Sequence, residues 1–490
     1  MRNTYTFIAV VFNIFLFSSL FAQVKSNVWL GGINEFPGQP NFGNYVLKFV
    51  DGNINVISKD LKMNFEGTMA VGVDSLGEIL FYTNGCHIAT ADGDTMPNGA
   101  GLNPGDMADW TCPDAGYASQ KGALALPLPG SSSVFYLFHL GISYETEKRL
   151  TYGPFYYSVI DMALNGGKGA VISKNNVLIS NNNLEPFSAV RHGNGRDWWL
   201  VLPQYGTNKY HKILFSPAGI ASVGDQIIGD SLACRYIGST AFSLQGNRFG
   251  RYQNCKLEVL DFDRCAGVFS NPLLLPLPKH TFGGGGIAFS SDGNKVIATT
   301  QSAILEADLT AAAPQLDTIV KSPELYGISL GLMQYDPRGK LLISNMGRER
   351  YYHIIDNPDG NVDNFGINVK GAELGKFSVR TLPNFPNFGL YNLSNSICDS
   401  LGISSLTEKV NQGNMRVYPN PATNNLHIET THISEGRITI YNSLGAIMLE
   451  QEDCFAQTLT IPVQGWPTGN YFLCIRTNKG TVHFSRVILL

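Results

Sequence analysis

Charged residues make up only 15% of this 490-residue chain, against 44% hydrophobic residues. So little charge excludes a solvated, disordered chain, and the apolar content suffices for a large core. Net charge is -4 with no basic stripe, so the electrostatic footprint of a nucleic-acid binder is missing and no nucleic-acid partner is expected. Sustained 3.6-residue periodicity is almost absent, which predicts few helices. None of the eight cysteines stands in a CxxC pair, which argues against a zinc site. Neither a G-x-S-x-G elbow nor an H-E-x-x-H motif occurs. The sequence therefore assigns no catalytic residue, no metal ligand and no cofactor. Beyond the N-terminus, no apolar window approaches the roughly 20 residues of a membrane-spanning helix.

The first residues are different. Arg2 supplies a short positive region, Phe7 to Leu20 is mostly apolar, and small residues follow up to Ala22. An apolar run of roughly 14 residues is short for a membrane span and fits a secretory signal cleaved after Ala22. Export makes disulfide candidates of Cys86, Cys112, Cys234, Cys255, Cys265 and Cys398, with Cys454 and Cys474 further along. Proximity favours Cys86 with Cys112, and Cys255 with either Cys234 or Cys265; eight cysteines allow about 105 connectivities.

Glycine is plentiful at 52 residues, with 21 tyrosines and 28 phenylalanines, a composition of tight turns and aromatic strands. One theme recurs through the middle of the chain: an apolar strand, a glycine-containing turn, a second apolar strand. It is read at 70–85, 125–141, 189–206, 241–253, 287–300 and 331–344, with DG, NG and RG supplying positive φ at the turns. The spacing is that of propeller blades. A further unit would combine "SNVWLGGI" and "NYVLKFVDGNINVIS" with "FSVRTLPNFPNFGLYNL" near residue 380, closing the ring with strands from both ends. Seven blades are expected, with six as the alternative.

After Cys398 the composition turns small and polar, as in a linker. At "VYPNPATNNLHIE" (Val417 to Glu429) structure restarts. Pro419 and Pro421 cannot donate within a strand, so they should break an edge strand before a turn. Period-2 alternation follows, with Leu426 and Ile428, Ile438 and Ile440, and Leu459 and Ile461 each on one face. That pattern indicates a small β-sandwich. The expected organisation is an all-β chain: a signal peptide at 1–22, a large β-propeller at 23–400, a linker at 401–413 and an Ig-like β-sandwich at 414–490.

"VYPNPATNNLHIE", "ITIYNSLGAIMLEQ" and "LTIPVQGWPTGNYFLCIRTNKGTVHFSRVIL", in that order, resemble the type A C-terminal sorting domain of the type IX secretion system. The residues carrying the resemblance are Tyr418, Pro419, Asn420, Pro421, Gly445, Gly469, Tyr471 and Arg486, the last where a lysine is common. The resemblance implies passage through the periplasm, recognition by the outer-membrane type IX translocon, removal of the domain by its processing enzyme, and release or attachment to surface lipopolysaccharide. Upstream, "EGTMAVGVDSLGEILFYTNG", "AVRHGNGRDWWLV" and "LDFDRCAGVFSNP" are similar to secreted WD40-like propeller proteins of the Bacteroidota. That resemblance implies a fold and a secretion context but no reaction.

Three stretches invite chemistry. "HGNGRD" (192–197) could gather a base, a cation and a carboxylate, but it reads better as a polar hairpin turn. "ADGDTMPNG" (91–99) has D-x-D spacing without the glycine and glutamate of a calcium loop, so a plain loop is expected. "TFGGGGIAF" (281–289) runs into a strand rather than a helix N-terminus, which suits a tight strand entry and not a phosphate cradle. Asp-Ser/Thr-apolar triplets at 74–76, 94–96, 230–232, 317–319 and 399–401 resemble an O-glycosylation signal; Asx turns explain them equally well. The reading reached is a surface or secreted protein whose propeller binds a glycan or protein ligand without catalysis. The rival is a secreted hydrolase or lyase acting on glycans or lactones. An enzyme should gather two carboxylates, or a histidine–carboxylate set, at the channel from different blades.

Overall fold

The structure, a computed structural model, describes residues 27–489 except 37, 75, 145–149, 182, 235–236, 254, 279–284, 322–327, 362, 395, 397, 399–414, 431–434, 443–446, 455–457 and 478–481. The proposed cleavage at Ala22, the linker at 401–413 and Gly445 lie outside the described residues. The chain divides into two compact units, Met1–Ser400 and Leu401–Leu490.

Among its described residues the first unit contains seven antiparallel sheets, each a meander in chain order, at 28–58, 70–100, 123–179, 188–227, 237–276, 287–321 and 330–379. The first has three strands and the other six have four. First strands of successive sheets meet, as Ala70–Val73 does with Ala123–Pro127 and Ile237–Phe242 with Ile287–Phe289. They are buried, whereas fourth strands such as Gly219–Ile227 are largely exposed. The last sheet packs back on the first, Ile367–Val379 against Val28–Ile33, and the Tyr45 and Tyr352 hydroxyls share a hydrogen bond of 2.9 Å. Seven sheets joined in succession and closed end to end make a seven-bladed propeller, which leaves only short protected edges.

The six expected hairpins are the first and second strands of blades two to seven. At each turn a glycine holds a positive φ that other residues rarely adopt: Gly77, Gly130, Gly195, Gly246, Gly293 and Gly339, with φ between 70° and 85°. Aromatic side chains fill the wedges between blades. Phe81 meets Phe135 edge-on at 5.2 Å and Phe138 meets Phe215 at 5.3 Å, geometry that adds to plain apolar burial.

Ring closure differs from expectation in one respect. Among the described residues, those from 380 onward add no strand to the first sheet. Val379 forms a single parallel bridge with Glu66, and the chain then leaves the sheet. Pro383 and Pro386 cannot donate to a ladder, which removes the pairing that a fourth strand would need.

The second unit is a two-sheet sandwich. One sheet pairs Met415–Tyr418, Asn425–Thr430 and Thr458–Pro462; the other pairs Ile447–Cys454, Glu435–Asn442, Gly469–Thr477 and Val482–Leu489. Leu426, Ile428, Ile438, Ile440, Ile461 and Leu473 are fully buried between them, as the alternation predicts. Met415–Tyr418 is an edge strand and ends where Pro419 begins.

Candidate functional site

The inner strands of blades four to seven surround a cavity of about 490 Å³. Residues 384–389 cross it as a strap, within a segment that runs from 381 to 394. Thr381 Oγ1 donates to the Phe65 carbonyl (2.9 Å), Asn384 Nδ2 to Phe187 (2.9 Å) and Asn387 Nδ2 to Leu244 (2.8 Å). Farther along, Arg191 donates to the Phe388 carbonyl (3.2 Å) with its guanidinium 4.1 Å from the Trp198 ring centre. Arg264 donates to the Tyr391 carbonyl at 3.2 Å, and the Cys265–Cys398 disulfide ties the strap to blade five. Asn387, Gly389, Pro337 and Gly339 are exposed at the cavity rim, while Asn384 and Phe385 are buried.

Lys121 enters the same cavity from the start of blade three. It is only 6% exposed and holds a left-handed φ of 50°. Its ammonium donates to the Met333 carbonyl at 2.7 Å and Gln334 Oε1 at 3.1 Å, both in blade seven, so the side chain reaches across the axis. No carboxylate among the described residues pairs with it, and burial pushes its ammonium down to about 7. Asp336, the carboxylate on the wall, is already used. Its Oδ2 accepts Arg338 Nε (2.8 Å) and Nη2 (2.6 Å), and its Oδ1 accepts the backbone amides of Arg338 and Lys340. The remaining polar lining is neutral, as at Ser188, Thr240 and Asn384.

The stretches weighed for chemistry lie elsewhere. In "HGNGRD", Asn194 Oδ1 caps the amides of Arg196 and Asp197, and Arg196 holds Asp197 at 2.7 Å. His192 Nε2 lies 3.0 Å from the Cys265 carbonyl oxygen and its Nδ1 accepts the Asn194 amide. The Asn194, Arg196 and Asp197 side chains serve the turn, and His192 joins it to blade five. Asp92 pairs with Lys168 and Asp94 with Lys62 on the surface, and no acidic or histidine cluster able to hold a metal occurs among the described residues. Gly285 and Gly286 lead straight into the inner strand Ile287–Phe289, where an added Cβ would strike the neighbouring backbone. Disulfides join Cys86 to Cys112, Cys234 to Cys255 and Cys265 to Cys398. Of the triplets, Thr95, Ser231 and Thr318 are exposed.

The motif at the start of the sandwich ties its two ends together. Asn420 Oδ1 accepts the Ile488 amide at 2.8 Å, and Ala422 forms a parallel bridge with Leu489. Tyr418 donates to Glu429 Oε1 at 2.6 Å. Tyr471, packed on Trp466, donates to the Pro467 carbonyl at 2.7 Å. Gly469 holds φ at 149°, in the region that favours glycine. Pro419 and Pro421 flank Asn420 in the turn, and Arg486 lies on the last strand, Val482–Leu489.

Residues 416–489 match the secretion system C-terminal sorting domain. The chain thus carries a type IX sorting domain, which addresses it to the cell surface or the medium and to the type IX machinery. No helix among the described residues is long and apolar enough to cross a membrane. No curated protein sequence matches the chain. Similar solved structures include a protein from Lactobacillus plantarum (13% identity, TM-score 0.44, covering 72% of this chain and 98% of that one). A putative 6-phosphogluconolactonase from Bacteroides uniformis is similar at 11% identity and TM-score 0.40, covering 70% and 94%. The Dos1 propeller is similar at 11% identity and TM-score 0.37, covering 61% and 69%.

Proposed function

We propose that the propeller is a non-enzymatic binding scaffold, delivered outside the cell by its sorting domain, that takes a glycan or protein ligand at the strapped end of its axial cavity. One observation carries the reading. The cavity wall presents neutral hydrogen-bonding groups, aromatic faces and one cation, while Asp336, the carboxylate lining it, is saturated by Arg338 and two backbone amides. A hydrolase or lyase of the expected kind would need two free carboxylates, or a histidine–carboxylate set, facing the same space. At the other end of the chain, the translocon's processing enzyme would remove the sorting domain and leave the propeller released or joined to surface lipopolysaccharide.

The test is fractionation of native cells, with mass spectrometry of the protein's termini, for the full chain and for one lacking residues from 416 onward. The full chain should reach the surface or medium and the shortened one should stay in the periplasm. Equal export of both would refute the sorting role. A glycan and peptide array probed with the exported protein should show saturable binding without turnover; product formation from a bound glycan or lactone would replace the scaffold with the enzyme.

A further inference from the structure

We infer that the axial cavity is a site for a small hydroxylated carboxylic acid of the hexuronic type, with Lys121 as the partner of the carboxylate. This rests on the scaffold reading and names the ligand class of that same site.

The argument starts from the charge inventory of the cavity. An ammonium group carries three donors, and the protein supplies two acceptors, the Met333 carbonyl and Gln334 Oε1. Both are neutral. Buried lysines are normally paired with a carboxylate, because an uncompensated charge away from water is costly. Lys121 is 6% exposed and faces the cavity, with no such partner among the described residues. Asp336 does not serve, since Arg338 already holds it. The left-handed backbone at Lys121 is a further cost, of the kind the surrounding structure sustains where a side chain is being aimed.

Neutral amides and hydroxyls share the lining, at Ser188, Thr240, Gln334, Asn384 and Asn387. Such groups exchange hydrogen bonds with the hydroxyls of a ligand. Phe242, Phe289 and Phe385 give apolar faces of the kind on which the C–H face of a sugar ring packs. One cation, neutral hydrogen-bonding groups and flat apolar walls describe an acid with a hydroxylated body. The volume of about 490 Å³ lies within the range of small-molecule sites.

Titration calorimetry on the exported full chain tests this with D-glucuronate, D-galacturonate and D-mannuronate, each against its neutral hexose, at pH 6 and pH 8. At least one acid should bind more than tenfold tighter than its hexose at pH 6. Its affinity should fall about tenfold by pH 8, as the empty-site amine loses its proton near 7. Lys121→Met, checked for an unchanged melting temperature, should remove the preference for the acid and its pH dependence. The native-protein comparison stands on its own if that variant does not fold. Binding of no acid, or equal binding of acid and hexose, overturns the inference. Array binding that persists alongside that result leaves the scaffold reading standing, and an array without any ligand removes both.

Discussion

Arg251 and Glu185 form a two-point ion pair, with Nη2 to Oε1 at 2.6 Å and Nε to Oε2 at 3.0 Å, and both side chains are within 1% of complete burial. Arg251 also donates to the Thr207 and Gln204 carbonyls, so the pair locks the entry to blade four onto the second strand of blade five. Such a pair need not stabilise more than apolar packing would, but removing one partner strands the other. Arg251→Met should cost about 3–5 kcal/mol in denaturant unfolding, and the double replacement Glu185→Met with Arg251→Met should cost less than the single one. A double loss equal to the sum of the two single losses would mean the pair is not coupled.

A second prediction concerns pH. His139 is buried between Asn103 Oδ1 (2.7 Å) and Ser158 Oγ (3.0 Å), and burial lowers its pKa to about 3. Burial lowers His353 to about 4. Both stay neutral in the folded chain while their unfolded counterparts take up a proton near about 6.5. The unfolded state therefore binds more protons below that pH, and stability falls as pH falls, down to about 4 for His353 and about 3 for His139. Between about pH 6 and 5, where few carboxylates titrate, each histidine contributes a slope approaching about 1.4 kcal/mol per pH unit. Unfolding free energies across that interval should show it, and His139→Gln should reduce the slope by about one proton. A variant with the native slope would place His139 in contact with water.

The third prediction separates the disulfides. Cys265 and Cys398 are 133 residues apart, against 26 for Cys86–Cys112 and 21 for Cys234–Cys255. Loop-closure entropy alone would make the long link worth about 5 kcal/mol and the short ones about 3.3–3.5 kcal/mol. Its loss should also loosen the strap, since Leu393, which hydrogen-bonds to Gly193, sits close to the anchor. Replacing Cys265 and Cys398 by serine should lower the melting temperature most and open a protease site between 381 and 398. Cleavage confined to other loops would show that the strap holds without the link.

Local rules were enough for the hairpins and not for the cavity. "SDGNK" and "DPRGK" announce their turns because glycine takes the positive φ at little cost, and the apolar runs on either side report strands buried on both faces. The sandwich was legible through its period-2 alternation, at Leu426, Ile428, Ile438 and Ile440. Lys121 was not. In "SQKGALALP" it is one lysine before a strand, and its partner Met333 lies 212 residues away. The Cys265–Cys398 link was equally hidden, because proximity along the chain favours short loops. The strap looked like strand because "FSVRTLPNF" begins as one; only Pro383 and Pro386 hinted that the ladder would stop at Val379.

The last prediction asks what the Tyr-Pro-Asn-Pro turn does. Asn420 reaches from the first turn of the sandwich to the amide of Ile488 in the final strand. The turn is then a brace between the domain's two ends, and its polar residue is needed as an acceptor. Asn420→Ala leaves that exposed amide to water, which should cost about 0.5–1.5 kcal/mol. Asn420→Asp keeps an acceptor oxygen and should restore most of the stability. Thermal unfolding of the full chain, followed beside export of each variant to the surface or medium, divides brace from recognition. If export tracks stability, failing for alanine and returning for aspartate, the translocon reads a folded sandwich. Should the aspartate variant be stable and still remain in the periplasm, the amide of Asn420 itself is what the machinery reads.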